Sequence, residues 1–178
     1  MDHNDHVNLL RPANLKPGGT YADFGAGSGA FTWALRELVG PDARIFAVDK
    51  DEKALDDLQE EFLARFNSIN NLFLVPMDFS RPLGLSPLDG IIMANSLHFF
   101  KDKEKLLRHV SKFLKPAGSL IVVEYNVDKG NMWVPYPLTF ETYSKLAPRA
   151  GFSEPRLLAK APSRFLKEFY SAVTYKTE

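Results

Sequence analysis

Thr20-Tyr21-Ala22-Asp23-Phe24-Gly25-Ala26-Gly27-Ser28-Gly29-Ala30 is the stretch on which the fold turns. Its first five residues read as a short strand, and the cluster after them places Gly25, Gly27 and Gly29 where backbone must turn sharply without Cβ interference. A helix follows at once. Phe31, Ala34, Leu35, Leu38 and Val39 recur at intervals of three and four, and Gly40-Pro41 supplies a left-handed cap and then a residue that cannot continue the helix.

The same alternation repeats downstream. Residues 44–48 form a second strand ending at Asp49, and Asp51 and Glu52 sit where a helix N-terminus favours negative charge. Leu55, Leu58, Phe62 and Phe66 give that helix its buried stripe. Residues 72–75 form a third strand, and Pro76, which cannot donate to a ladder, places it at a sheet edge. Residues 90–94 are continuously apolar, as expected of a central strand covered on both faces. Asp102 is a helix cap, and Leu106, Leu107, Val110, Phe113 and Leu114 are expected to face the sheet before Lys115-Pro116-Ala117-Gly118 ends the helix. Residues 120–123 complete five strands.

Strands separated by helices of this length pair in parallel through right-handed crossovers. The last third departs from the pattern. After an irregular Pro-rich segment at 128–138, the spacing predicts a helix over 140–150, kinked or restarted at Pro148. Two further runs, 156–159 and 170–175, suit an antiparallel hairpin at the sheet edge. The expected fold class is α/β: a single doubly wound, Rossmann-like domain over 1–178, with a mostly parallel seven-stranded sheet and an antiparallel C-terminal hairpin.

Composition bounds the function. A length of 178 residues suits one core, and 22 basic residues against 22 acidic ones leave a formal charge of zero. No field for gripping a polyanion results, so no nucleic-acid partner is expected. The absence of cysteine excludes disulfides, thiolate metal sites and thiol nucleophiles. His3 and His6 have helical metal-pair spacing, but a terminal pair is ordinarily solvated, and no metal is expected. No run approaches the roughly 18 apolar residues of a membrane span. Nor does the start pair a basic region with an apolar one, and the expected location is cytoplasmic.

In a doubly wound sheet, ligands bind outside the carboxyl ends of the strands. The chemistry-bearing residues cluster there: Asp23 and the glycines after strand one, Asp49 after strand two, Asp78 after strand three, Asn95 and His98 after strand four. Gly25, Gly27 and Ala30 also satisfy a dinucleotide spacing, with Asp49 about 20 residues on. Asp23 argues against a dinucleotide, because its charge would repel a pyrophosphate. A ligand with a cationic amino end accommodates it.

Asp23-Phe24-Gly25-Ala26-Gly27-Ser28-Gly29 resembles the first motif of class I S-adenosylmethionine-dependent methyltransferases, and the resemblance extends over about residues 20 to 125. In layout the chain is similar to small ubiquinone-biosynthesis-type and type 11 members. The resemblance implies a cofactor half at about 18–100 and acceptor-side elements at about 124–178. It implies that the glycine loop lies against the methionine part of S-adenosylmethionine, with Asp23 serving its amino group. Asp49 would accept the ribose hydroxyls and Asp78 the adenine amino group. The Phe79 backbone N–H would serve a ring nitrogen, and Asn95 occupies the carbonyl-bearing position. The expected cofactor contacts are therefore Asp23, Gly25, Ala26, Gly27, Gly29, Asp49, Lys50, Asp78, Phe79 and Asn95, with S-adenosylhomocysteine as product.

The expected reaction is SN2 methyl transfer to a small, partly apolar or aromatic acceptor, in which positioning and desolvation supply most of the acceleration. His98 is the candidate catalytic base, since an ordinary imidazole pKa of about 6.5 suits proton abstraction, with packing beside Phe99-Phe100 as the alternative. Acceptor contacts are expected from His98, Phe99, Glu124, Tyr125, Met132, Trp133 and Tyr136. About 19 residues precede the first strand. Either residues 8–15 cover part of the pocket, a second copy does so in a homodimer, or the acceptor binds in an open cleft. Two rivals are an NAD-binding Rossmann reductase, for which a well-placed Tyr-x-x-x-Lys is missing, and a non-catalytic S-adenosylmethionine-binding module.

Overall fold

The computed structural model describes residues 1–85 and 87–177. β1 (Thr20–Phe24), β2 (Arg44–Asp49), β3 (Leu72–Pro76), β4 (Leu88–Ala94), β5 (Leu114–Tyr125), β6 (Arg156–Pro162) and β7 (Glu168–Tyr175) form one sheet in the order β3-β2-β1-β4-β5-β7-β6. The first five strands are parallel, while β7 runs antiparallel to both β5 and β6. This is the doubly wound, Rossmann-like class expected from the alternation, and Pro76 lies at the end of edge strand β3. The order reverses between β1 and β4, which opens a crevice at their carboxyl ends.

Alternate residues of each strand serve opposite cores. Ile45, Ala47, Ile121 and Val123 pack with α1 (His3–Leu10), α2 (Ala30–Val39) and α3 (Glu52–Phe66), whereas Phe24, Val48, Leu120 and Val122 pack with α4 (Lys103–Val110) and α5 (Phe140–Leu146). Burial on both faces is why the central strands carry no polar alternation. Asp2, Asp51, Asp102 and Thr139 each accept a backbone N–H of the first helical turn through their side chains.

Two local expectations need correction. α4 stops at Val110, and after a single 3-10 turn Leu114 opens β5 instead of closing the helix. Pro116 accounts for this, because it forces the preceding residue extended, and the ladder with β4 shifts register between Leu88 and Gly90. The 140–150 helix behaves as expected, ending at Leu146 and restarting as a 3-10 turn at Pro148–Ala150. Residues 8–15 do not cover the crevice: α1 packs against α2 and β6, and Ala13, Asn14 and Leu15 line a cavity at the opposite end of the sheet.

Candidate active site

A crevice of about 330 Å³ opens at the carboxyl ends of β1 to β4, lined by Gly25, Asp49, Lys50, Met77, Asp78, Phe79, Asn95, Ser96, Phe99 and Phe100. Six residues expected at the cofactor therefore share one surface: Gly25, Asp49, Lys50, Asp78, Phe79 and Asn95. A cavity of about 420 Å³ lies beneath the amino ends of the strands, around Lys16, Asp89 and Lys115. Open α/β sheets bind their ligands at the other end, outside the carboxyl ends of the strands.

The glycine loop forms the floor of the crevice. Gly25 has φ +83°, and a Cβ there would stand 2.6 Å from the Ser96 Cβ, so both the turn and the approach of the β4 loop require glycine. Asp49 Oδ2 accepts from the Gly27 N–H at 2.8 Å, and Oδ1 accepts from the Asp51 N–H at 3.0 Å. Asp78 Oδ1 accepts from the N–H and the hydroxyl of Ser80. Partial burial opposes ionisation of Asp78, but those two hydrogen bonds, with Arg81 and Lys50 nearby, outweigh it and hold the carboxyl below its ordinary range. The Phe79 backbone N–H has no hydrogen-bond partner among the described residues, and its ring stacks on Phe24 with centroids 5.5 Å apart.

Asp23, Ala26, Gly27 and Gly29 do not line this part of the crevice. Asp23 is sealed beneath the loop, where Oδ2 accepts from the Thr32 hydroxyl at 2.7 Å and Oδ1 has no partner among the described residues. Burial, with a smaller contribution from neighbouring Asp49, pushes its carboxyl up to about 7 against the effect of the Thr32 hydrogen bond. Gly29 answers to packing: a Cβ there would meet Leu58 Cγ at 2.5 Å. Asn95 holds φ +53° and a buried Oδ1 without a partner among the described residues.

His98 lies one ring away from the crevice, its ring centroid 4.3 Å from that of Phe99. Glu124, fully buried on β5, accepts the His98 backbone N–H at 3.0 Å through Oε1 and meets Nδ1 at 2.9 Å through Oε2. Glu124 therefore does not meet an acceptor directly. Phe99, Met132, Trp133 and Tyr136 are exposed, and Tyr125 packs between His98, Phe165 and Phe169.

Sequence reading missed Thr32 as the partner of Asp23, Ser96 as the neighbour of Gly25, and Phe165 and Phe169 on the hairpin. A helix threonine nine residues from its carboxylate carries no local signal. The hairpin aromatics join the site only through the β5–β7 pairing.

Residues 22–120 match the family described as methyltransferase domain. Over 110 residues (59% of the chain) the protein is 32% identical to ribosomal RNA small subunit methyltransferase H of Christiangramia forsetii, covering 36% of it. Over 115 residues (64% of the chain) it is 28% identical to the ubiquinone/menaquinone biosynthesis C-methyltransferase UbiE of Pasteurella multocida, covering 42% of it. The chain thus spans less than half the length of these two relatives. Phosphoethanolamine N-methyltransferase 2 of Haemonchus contortus, solved with phosphomonomethylethanolamine and S-adenosylhomocysteine, shares the fold at TM-score 0.77 and 15% identity, over 98% of this chain and 53% of that one. With its motifs, sheet order and family match in agreement, the chain belongs to the methyltransferase domain family, among the class I S-adenosylmethionine-dependent methyltransferases.

Proposed function

We propose that the crevice binds S-adenosylmethionine and that the protein transfers its methyl group to a small, partly apolar or aromatic acceptor. The observation that carries this reading is the convergence of Asp49, Asp78 and Asn95 from three successive strand tips around the glycine floor. The residues present fit the cofactor. Asp23 Oδ1 is a buried acceptor without a partner among the described residues, suited to an amino group behind the loop. Asp49 has carboxylate lone pairs beyond its two backbone bonds, enough to accept from vicinal hydroxyls. Asp78 and the Phe79 N–H offer one acceptor and one donor to the edge of a base.

When bound, the cofactor supplies a methyl group on a sulfonium; the acceptor lone pair forms the new bond, and the electron pair of the broken C–S bond stays on sulfur. The chain's part is to align the acceptor and exclude water. Phe99 and Phe100 line the crevice, Tyr125 packs on the neighbouring His98 ring, and the Tyr136 N–H donates to the His98 carbonyl; this aromatic surround favours a flat or apolar acceptor. Calorimetric titration with S-adenosylmethionine, S-adenosylhomocysteine and NAD tests the reading. The first two should bind one per chain. Tighter binding of NAD would overturn it.

A further inference from the structure

Met132 and Trp133 are the most exposed large apolar side chains among the described residues, 86% and 71% open to solvent, and the chain builds a closed turn to hold them there. The Asn131 N–H donates to the Val134 carbonyl at 3.0 Å, and Asn131 Oδ1 accepts the N–H groups of Trp133 and Val134 at 2.9 Å each. Gly130 is pressed against the Val134 and Pro135 carbonyls, where a Cβ would collide, and Val134 is buried beneath the tip. A turn pinned in this way keeps its apolar tip in water at the expense of the burial a tryptophan gains elsewhere.

The turn between β6 and β7 repeats the device. Ser163 Oγ accepts the Phe165 and Leu166 N–H groups, the Ser163 N–H donates to the Lys167 carbonyl at 2.8 Å, and Phe165 is half exposed. Tyr125, the last residue of β5, meets the Phe165 ring, and Asn126 bonds Glu168 through both backbone and side chain. The Tyr136 N–H donates to the His98 carbonyl, which ties residues 129–137 to the loop after β4, where exposed Phe99 lines the crevice. Because β7 starts opposite Tyr125, all three loops stand at the end of the sheet on which the crevice opens.

Cations are interleaved with these apolar tips. Residues 129–137 and 163–167 carry exposed Lys129, Arg164 and Lys167 and no acid, and residues 97–103 carry Lys101 and Lys103 against one acid, Asp102, which caps α4. The adjoining acids are engaged: Asp128 with Thr139 and Thr142, Glu168 with Asn126 and Lys160. On a chain whose formal charge is zero, the three loops are thus distinctly cationic. A second copy seated face to face would bring like charges together, whereas an anionic lipid surface satisfies the apolar tips and the cations at once.

We propose that this face docks on an anionic bilayer surface, with Met132, Trp133 and Phe165 entering the headgroup–acyl boundary and Lys129, Arg164 and Lys167 meeting lipid phosphates. The crevice then opens toward the membrane, and the docking does not depend on what the crevice holds. The chain rests on the bilayer without crossing it; no helix among the described residues is long and apolar enough to span one.

The test floats the full chain, without cofactor, on vesicles of phosphatidylcholine alone and of phosphatidylcholine with a quarter phosphatidylglycerol. Binding to the mixed vesicles should be stronger by about tenfold or more, and raised salt should diminish it. Met132→Ser with Trp133→Ser should abolish the binding with an unchanged Tm, both side chains being open to solvent. Lys129→Glu with Arg164→Glu should remove the preference for the mixed vesicles. The chain has two tryptophans, Trp33 and Trp133. Emission should shift to shorter wavelength on the mixed vesicles, and Trp133→Phe should abolish that shift, which locates the contact at the turn. No flotation, equal flotation on the two lipids, or equal flotation of the Met132→Ser, Trp133→Ser form overturns the proposal. So does a dimer in sedimentation velocity that the same double substitution disperses, since the face would then belong to a second copy.

Discussion

The Gly27 N–H and the Asp49 carboxylate are joined by a 2.8 Å hydrogen bond that ties the glycine loop after β1 to the tip of β2. One carboxylate thus shapes the floor of the crevice and, through the Asp51 N–H, fixes the turn into α3. Because it is half-buried at a strand end, its loss opens no core cavity, and on the proposed cofactor reading it removes ligand contacts.

Asp49→Ala is therefore expected to weaken S-adenosylhomocysteine binding by tenfold or more, since hydrogen bonds to a charged group contribute about 1.5–3 kcal/mol each. Tm should move by only a few degrees. Calorimetry on the folded variant checks this, and unchanged affinity would remove Asp49 from the site.

Gly25→Ala should destabilise by about 2 kcal/mol, from the left-handed φ of +83° and the 2.6 Å approach to Ser96 Cβ. Adding Ser96→Gly removes the collision but not the backbone strain, so the double variant should recover part of the loss. Denaturant titration of the four-member cycle measures the coupling. Strictly additive effects would mean that Ser96 does not set the requirement for glycine.

The strand-to-helix rhythm was legible because each parallel strand is buried on both faces and each helix on one, so period and apolar run carry the order directly. Asp49, Asp78 and Asn95 were legible because a strand tip is a fixed place in such a sheet. What stayed hidden depends on pairing across distance. Glu124 reads as a strand residue next to a tyrosine, and only the β4–β5 register brings it to His98, 26 positions earlier. Gly29 was read toward the ligand, but the atom it makes room for is Leu58 Cγ, 29 positions later in α3. The end of α4 was misplaced because Phe113 and Leu114 continue a helical period that Pro116 cuts short.

Tyr143 and Tyr170 are buried with hydroxyls that have no partner among the described residues, and burial raises both phenols above their usual range. A buried hydroxyl without a partner forfeits its hydration, which costs about 1–3 kcal/mol. Tyr143→Phe and Tyr170→Phe should each leave stability unchanged or raise it by about 1 kcal/mol. A loss above about 1 kcal/mol in urea denaturation would indicate that the hydroxyl is satisfied, for example by an internal water.

Asp23 supplies the clearest pH dependence. Its carboxyl is pushed from 3.8 up to about 7 by burial, with Asp49 adding repulsion. The folded protein therefore holds a proton there that the unfolded chain releases above its own lower pKa. Stability from this group is complete below about pH 4 and is lost as pH rises through about 7; roughly 3 units correspond to about 4 kcal/mol. Asp23→Asn removes the titration, so the ligand-free variant should be more stable than the wild type at pH 8 and should lose less stability between pH 5 and 8. A cationic amino group beside Oδ1 reverses the preference, because it favours the ionised carboxyl. S-adenosylhomocysteine should accordingly bind the wild type more tightly as pH rises from 5 to 7, releasing a proton at pH 6, and level off above. The variant should bind more weakly and without that slope. Comparing the two forms cancels every other titration they share. Equal slopes in calorimetry across buffers of different ionisation enthalpy would show that Asp23 does not face the amino group.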